Sequence, residues 1–275
     1  MPAISVLMPF YNAGNFLRTS IESVLNQTFD DFEFLILDDG STDGSANIVK
    51  EYYDTRINLV RLEHDFINTL NRGLELAKSK YIARMDADDV MTKSRLHRQF
   101  CFMEQHLEID ACGSWIQTFG DACRKVECLV SHEEIVNFMI KANPMAHPAM
   151  ILRQSTLQTH RLRYDGKYEY AEDFKLWLEI AKIGRLANIP EILLHYRCSD
   201  EQVSVRKKDR QSVSTDKVRQ EAIELFLNRI NFRLPIAGHT VYKINEQLKE
   251  LVNQSFISFD AYCQIMYAMA KTIDN

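Results

Sequence analysis

The residues best equipped for chemistry are carboxylates, and they fall in three groups. In the run YIARMDADDVM, positions 81–91, Asp86, Asp88 and Asp89 put three acids into four positions. Like charges this close repel, and desolvating them is costly, so an ordinary surface turn gains little from the arrangement. No His or Cys stands beside them, and an oxygen-only donor set suits Mg2+ or Mn2+. Side chains alternate along extended backbone, which would point Asp86 and Asp88 the same way. The plainer reading is a solvated turn, with one Asp capping a helix that begins near Thr92.

The second group, Asp38-Asp39-Gly40-Ser41-Thr42-Asp43-Gly44, also has two readings. Asp and Gly make a turn that caps a helix. A carboxylate at a strand end also accepts hydrogen bonds from a nucleobase edge or a ribose. The third group, Glu172-Asp173, opens a helix, where acids favour the macrodipole. Its functional alternative is a general base that takes the proton of an attacking sugar hydroxyl. No G-x-G-x-x-G follows the first apolar run and no G-x-x-x-x-G-K-[ST] occurs, so neither glycine-rich phosphate loop is present.

The first hundred residues supply a scaffold by alternating short apolar runs with helical patterns. Strands are predicted at 4–8, 32–37, 57–62 and 81–85. Between them lie a helix carrying Phe16, Leu17, Ile21, Val24 and Leu25, one starting near Ser45, and one over 66–78. This alternation predicts an α/β fold with a mostly parallel sheet, right-handed crossovers and helices on both faces. Ligands bind beyond the carboxyl ends of such strands, where Asp38, Asp39 and 86–89 fall. From residue 92 the pattern loosens. Helices are predicted at 93–105, 132–141 and 171–183, strands at 111–119 and 189–196, and a turn running into a strand over 144–152. The tail from about 216 reads as two or three amphipathic helices, with Phe226, Leu227 and Ile230 on a stripe.

Composition narrows the classes. With 33 basic against 38 acidic residues the formal charge is -5, which argues against a nucleic-acid binder. Six scattered cysteines with no C-x-x-C argue against structural zinc or a disulfide framework and for a reducing compartment. The start MPAISVLMPF has no basic region before its apolar run, and no segment reaches the roughly 18 apolar residues of a spanning helix. The expectation is a cytoplasmic protein, with peripheral contact at the inner face of the plasma membrane left open.

Taken in order, SVLMPFYNAGNFLRTSIESVLNQTF, FEFLILDDGSTDGS, NTLNRGLELAKSKYIARMDADDVMTKSRL, YAEDFKLWLEIA and LLHYR resemble the family 2 glycosyltransferases over residues 3–200. These are inverting nucleotide-sugar transferases of the GT-A fold, a Rossmann-like, mostly parallel sheet flanked by helices. The resemblance implies a nucleotide-sugar-binding half over 1–110, an acceptor-binding half over 111–210 and a helical C-terminal extension over 211–275. It places Pro9, Tyr11 and Asn12 in the turn bordering the nucleotide, and Asp39 on the base, commonly uracil. Asp86 and Asp88 match the D-x-D motif that holds Mn2+ or Mg2+ against the diphosphate, with Asp89 as an outer ligand or helix cap. Asn71 and Arg84 fall beside the donor phosphates or sugar. Asp173 matches the catalytic base, and His147 falls in a segment that often lines the acceptor.

Many relatives carry a His shortly after the Tyr-Arg pair, where this chain has Tyr196-Arg197-Cys198-Ser199-Asp200. Arg197, Arg206, Lys207 and Lys208 would either close over the diphosphate or form a solvated basic run. The implied partners are a nucleoside-diphosphate sugar and a glycan or lipid-linked acceptor, with the C-terminal helices docking on a membrane, pairing two copies or capping the core. The competing class is a sugar-nucleotide or glycan-binding protein that keeps the fold without turnover. A nucleotidyltransferase would want a Lys/Arg-bearing glycine-rich loop where this chain has Pro9-Phe10-Tyr11-Asn12-Ala13-Gly14-Asn15.

Overall fold

A computed structural model describes residues 1–199 and 208–229, with isolated positions 249, 250, 252, 262 and 264–266. The apolar run at the N-terminus forms β1 (Ile4–Phe10), buried at every position as a strand covered on both faces must be. The chain continues through α1 (Gly14–Leu25), β2 (Phe32–Asp38), α2 (Ser45–Lys50), β3 (Ile57–Arg61), α3 (Phe66–Leu76) and β4 (Tyr81–Arg84). β1 lies parallel between β2 and β4, and β3 lies parallel outside β2. These elements match the predicted ones to within a few residues.

The second half adds β5 (Val90–Met91), α4 (Arg95–Gln105), β6 (Ala111–Gly120), β7 (Lys125–Val126), α5 (His132–Met139), β8 (Ile151–Arg153), α6 (Gln154–Thr159), α7 (Glu172–Ile183), β9 (Leu186–Cys198) and α8 (Lys208–Arg229). Among the described residues nine strands join one sheet of order β3-β2-β1-β4-β8-β6-β9-β5, with β7 paired to β6. The long ladders are parallel, β6–β9 among them. The antiparallel contacts of β8, β5 and β7 are two or three residues long, so the sheet is mostly parallel with short reversals.

Period-two alternation divides the strands between two cores. Val6, Met8, Phe34 and Ile36 face α1, α2 and α4, packing with Leu17, Ile21, Val49, Leu96 and Met103. Leu7, Leu35, Leu37 and Ile82 face the other side, with Leu70 of α3, Ile135 of α5 and Trp177 of α7. Val218 and Ala222 of α8 belong to this second core, so α8 packs on the domain. Phe226 and Leu227 are buried, while Ile230 and most of the predicted tail helices lie outside the described residues. Among the described residues no helix is long and apolar enough to cross a membrane.

Candidate functional site

β1, β2 and β4 end side by side, with Phe10 paired to Asp38 and Leu7 to Arg84. Their following loops therefore open on one edge of the sheet, the carboxyl edge where α/β folds bind ligands. Pro9 fits inside β1 for a reason of register. The Leu7 carbonyl accepts from the Met85 N–H at 3.0 Å, and Pro9, two residues on, turns its missing N–H to that same side as the β4 ladder stops. Asn12 takes φ 49°, a left-handed conformation that Asn tolerates. It clips the first loop to the second: its N–H donates to Ser41 Oγ at 3.0 Å, and its Oδ1 accepts from the Thr42 N–H at 2.9 Å.

Asp38 and Asp39 are both buried but do different things. Asp38 Oδ1 accepts from the Ser41 N–H at 2.8 Å and so shapes the turn. Asp43 closes the turn that enters α2, its Oδ1 accepting from the N–H and hydroxyl of Ser45 at 2.9 and 2.6 Å, and Gly44 is the N-cap. Asp39 turns toward the loop before α3. Its Oδ1 accepts from the Asp65 N–H at 2.9 Å and the Thr69 hydroxyl at 2.6 Å, and its Oδ2 lies 2.9 Å from His64 Nδ1. The His64 ring in turn stacks on the half-exposed Tyr11, centroids 4.0 Å apart.

The acidic run after β4 departs from the expected geometry. Residues 86–89 form a turn, not extended backbone, with the Asp89 N–H donating to the Asp86 carbonyl at 3.4 Å. The turn, rather than alternation, gathers the acids, and it includes Asp89: one oxygen from each of Asp86, Asp88 and Asp89 lies within 4.8 Å of the others. The capping expectation is also corrected. α4 starts at Arg95 behind Ser94, while Asp89 is 1% exposed and accepts from the Arg197 N–H at 2.8 Å. Asp89 Oδ2 has no hydrogen-bond partner among the described residues.

Burial, and then the Asp86 charge, push the Asp88 carboxyl up to about 6. Burial, Asp86 and Asp88 raise Asp89 well above the usual carboxylate range. Buried Arg84 offsets part of this, with Nη1 2.5 Å from Asp86 Oδ1. The buried Arg95 holds the floor by donating to the Arg84 and Met150 carbonyls at 2.7 and 3.3 Å. Three converging oxygens, mutual repulsion and an unpartnered buried oxygen fit a hard divalent cation.

Glu172 and Asp173 open α7 as predicted. Asp173 is partly exposed, and both of its oxygens are oriented: Oδ2 accepts from the Asn143 amide at 2.8 Å and Oδ1 from the Phe174 N–H at 2.7 Å. Burial raises its carboxyl above the ordinary range, against the pull of those two bonds and of Arg84. Glu172 is buried with Oε2 unpartnered among the described residues, and burial followed by the Asp173 charge pushes it up to about 7.

His147 Nε2 lies 2.9 Å from the Tyr164 hydroxyl, and its ring rests against Trp177. Burial, helped by Arg84, lowers its pKa well below the ordinary imidazole value, so it is neutral at pH 7. Asn71, expected beside the donor, spends its amide elsewhere. Its Nδ2 donates to the Tyr164 carbonyl and its Oδ1 accepts from the Tyr164 N–H, each at 2.9 Å. Tyr164 is thereby fixed within electrostatic reach of Arg84, Asp86, Glu172 and Asp173.

The sequence reading missed His64, Asn143 and Tyr164, whose partners lie 25, 30 and 93 positions away. The available signal was a polar residue within an apolar stretch, as with Asn143 among Ala142, Pro144 and Met145. The Arg197 guanidinium packs on the rings of Phe16 and Phe119 at 4.1 and 4.4 Å, and its Nε donates to the Asp88 carbonyl at 2.9 Å. Arg206, Lys207 and the Lys208 side chain lie outside the described residues.

Comparison with known proteins identifies the family. A model described as Glycosyl transferase family 2 matches residues 5–155. An uncharacterized glycosyltransferase of Haemophilus influenzae is 32% identical, covering 95% of this chain and 88% of its own length. The O-antigen biosynthesis glycosyltransferase WbnJ of Escherichia coli is 32% identical over 70% of this chain and 79% of its own. Among solved structures, residues 1–349 of S. aureus TarS in complex with UDP-GlcNAc give a TM-score of 0.67 at 18% identity, covering 91% of this chain and 72% of that one. The mannosyltransferase PcManGT of Pyrobaculum calidifontis, in complex with GDP-Man and Mn2+, gives 0.58 at 14%, covering 99% and 87%. The class is therefore a glycosyltransferase built on the GT-A fold. The chain belongs to glycosyl transferase family 2.

Proposed function

We propose that the protein is a metal-dependent, inverting glycosyltransferase that moves a hexose or N-acetylhexosamine from a UDP-sugar to a hydroxyl of a glycan or lipid-linked acceptor in surface-polysaccharide synthesis. The observation that carries this is the convergence of Asp86, Asp88 and Asp89 in one turn, on the sheet edge that also carries Asp39, with Asp173 in electrostatic reach of Asp86. Relatives named for O-antigen and amylovoran biosynthesis support the polysaccharide context, and the UDP-GlcNAc complex of TarS supports a UDP-linked donor.

In this reading Asp39 and Tyr11 hold the nucleobase, with Pro9 and Asn12 shaping their loop, while Asp86 and Asp88 hold Mn2+ or Mg2+ and Arg84 keeps Asp86 oriented. The cation, when bound, supplies positive charge for the leaving diphosphate. Asp173, with its carboxyl raised and both oxygens oriented, takes the acceptor proton. The freed oxygen bonds to the anomeric carbon as the bond to the diphosphate breaks on the opposite face. His147, neutral and backed by Trp177, borders the acceptor side.

The test is a screen of UDP-sugars and saccharide acceptors with Mn2+ present, the anomeric configuration of the product read by NMR. Transfer with inversion that disappears in Asp88→Asn and Asp173→Asn supports the reading. Retention of configuration, or full transfer with Asp173→Asn, overturns it. Donor binding without turnover across the panel would point instead to a binding protein.

A further inference from the structure

Tyr11 and Asp39 form a slot for a flat heterocycle, and the imidazole of His64 stands in it. The ring stacks on Tyr11 with centroids 4.0 Å apart and planes inclined by 24°. Its Nδ1 reaches Asp39 Oδ2 at 2.9 Å and the Asp39 carbonyl at 3.1 Å. Both are acceptors when the carboxylate is ionised, so the contact calls for an N–H at Nδ1. A π face on Tyr11 and a ring N–H on Asp39 are also the two contacts that a pyrimidine with a ring N–H would make. The imidazole and such a base use the same two partners, so each excludes the other.

The loop lets the ring leave without moving its own backbone. His64 rests flush on Gly40, where φ is 77° and a Cβ would lie 3.1 Å from the His64 nitrogen. The next residue is an anchor: the Asp65 N–H donates to Asp39 Oδ1, and the Asp65 side chain caps α3 by accepting from the Asn68 N–H at 3.0 Å. The imidazole is the open part, with 58% of the side chain exposed. Rotation about the Cα–Cβ bond frees Tyr11 and Asp39 Oδ2, while Asp39 Oδ1 keeps its bonds to Asp65 and Thr69.

We propose that His64 is a built-in competitor at the donor site, standing in for the nucleobase and giving way to a base that brings its own ring N–H to Asp39. This rests on the reading above that Tyr11 and Asp39 hold the donor base. Uracil carries that N–H at N3; cytosine has a bare acceptor there, leaves the Asp39 contact unreplaced and competes less well.

Calorimetric titration of the full chain with UDP and with CDP, Mn2+ present, tests this. Removing an internal competitor raises the fraction of binding-competent protein, so His64→Ala should bind UDP and CDP more tightly by the same factor, roughly 3–10-fold, with the preference between them unchanged. In the unaltered protein the His64 ring resonances, shifted by Tyr11, should move toward solvent-exposed values as UDP is added. If Asp39→Asn weakens UDP binding while His64→Ala fails to tighten it and the resonances stay put, the proposal falls and the base site stands. If Asp39→Asn leaves UDP affinity unchanged, the base site falls and the proposal with it.

Discussion

The backbone N–H of Arg197 donates to Asp89 Oδ1 at 2.8 Å, joining the end of β9 to the acidic turn across 108 positions of sequence. The bond recruits one oxygen of Asp89 for structure and leaves the other without a hydrogen-bond partner among the described residues. Asp89 is thus both a strut and a member of the acidic cluster.

The two roles separate by substitution. Asp89→Asn keeps an acceptor for Arg197 while removing a repelling charge, so the metal-free protein should melt no lower than the parent and Mn2+ affinity should fall. Asp89→Ala orphans a buried N–H, at a cost of about 1–3 kcal/mol. Scanning calorimetry with and without Mn2+ checks both. Equal melting temperatures for the two variants would deny the strut.

The raised carboxyls of Asp88, Asp89 and Glu172 set a pH dependence with a definite sign. Each has a folded pKa above its unfolded one, so the folded state binds more protons. Their contribution is fully present below about pH 4 and is lost as pH rises through about 6 for Asp88 and about 7 for Glu172. Bound at the Asp86–Asp89 turn, Mn2+ would remove this repulsion. Its stabilisation should therefore be larger at pH 7.5 than at pH 5, by roughly 2–6 °C in melting temperature. A pH-independent Mn2+ effect would contradict the assignment.

Asn143 tunes Asp173. Its amide bond favours the charged carboxylate, so Asn143→Ala should raise the Asp173 pKa. The acid limb of the kcat profile would then move to higher pH, and Asp173→Asn should lower kcat by about 10²–10⁴-fold with donor KM little changed. An acid limb that stays in place in Asn143→Ala would detach it from the base.

Asn71 should behave as a structural residue. Losing its paired bonds to the Tyr164 backbone costs about 1–3 kcal/mol, seen as a lower urea midpoint, while donor KM stays near the parent value. A large rise in donor KM at unchanged stability would restore it to the donor site.

The alternation of apolar runs and helical stripes was enough to read β1 to β4 and the helices between them; for β1, β2 and β4 burial on both faces makes the strands near-continuously apolar, while the edge strand β3 is only partly buried. It was enough to place Asp38, Asp39, Asp86 and Asp88 at strand ends, since a local pattern fixes where a strand stops. The second half was harder. β5 and β7 are two residues long and leave no periodicity to detect, while the strand expected within 144–152 is the three-residue β8 at its end.

What the sequence by itself determined is the parallel half of the sheet, the three acidic groups and their order along the chain. What only the tertiary structure decided is their use: that a turn rather than an extended strand gathers Asp86, Asp88 and Asp89, that Asp39 meets His64, and that Asn71 serves Tyr164. The reason is physical. Strand and helix formation depend on neighbours a few residues apart, whereas a carboxylate's partners and its pKa depend on burial and on charges brought together from distant parts of the chain.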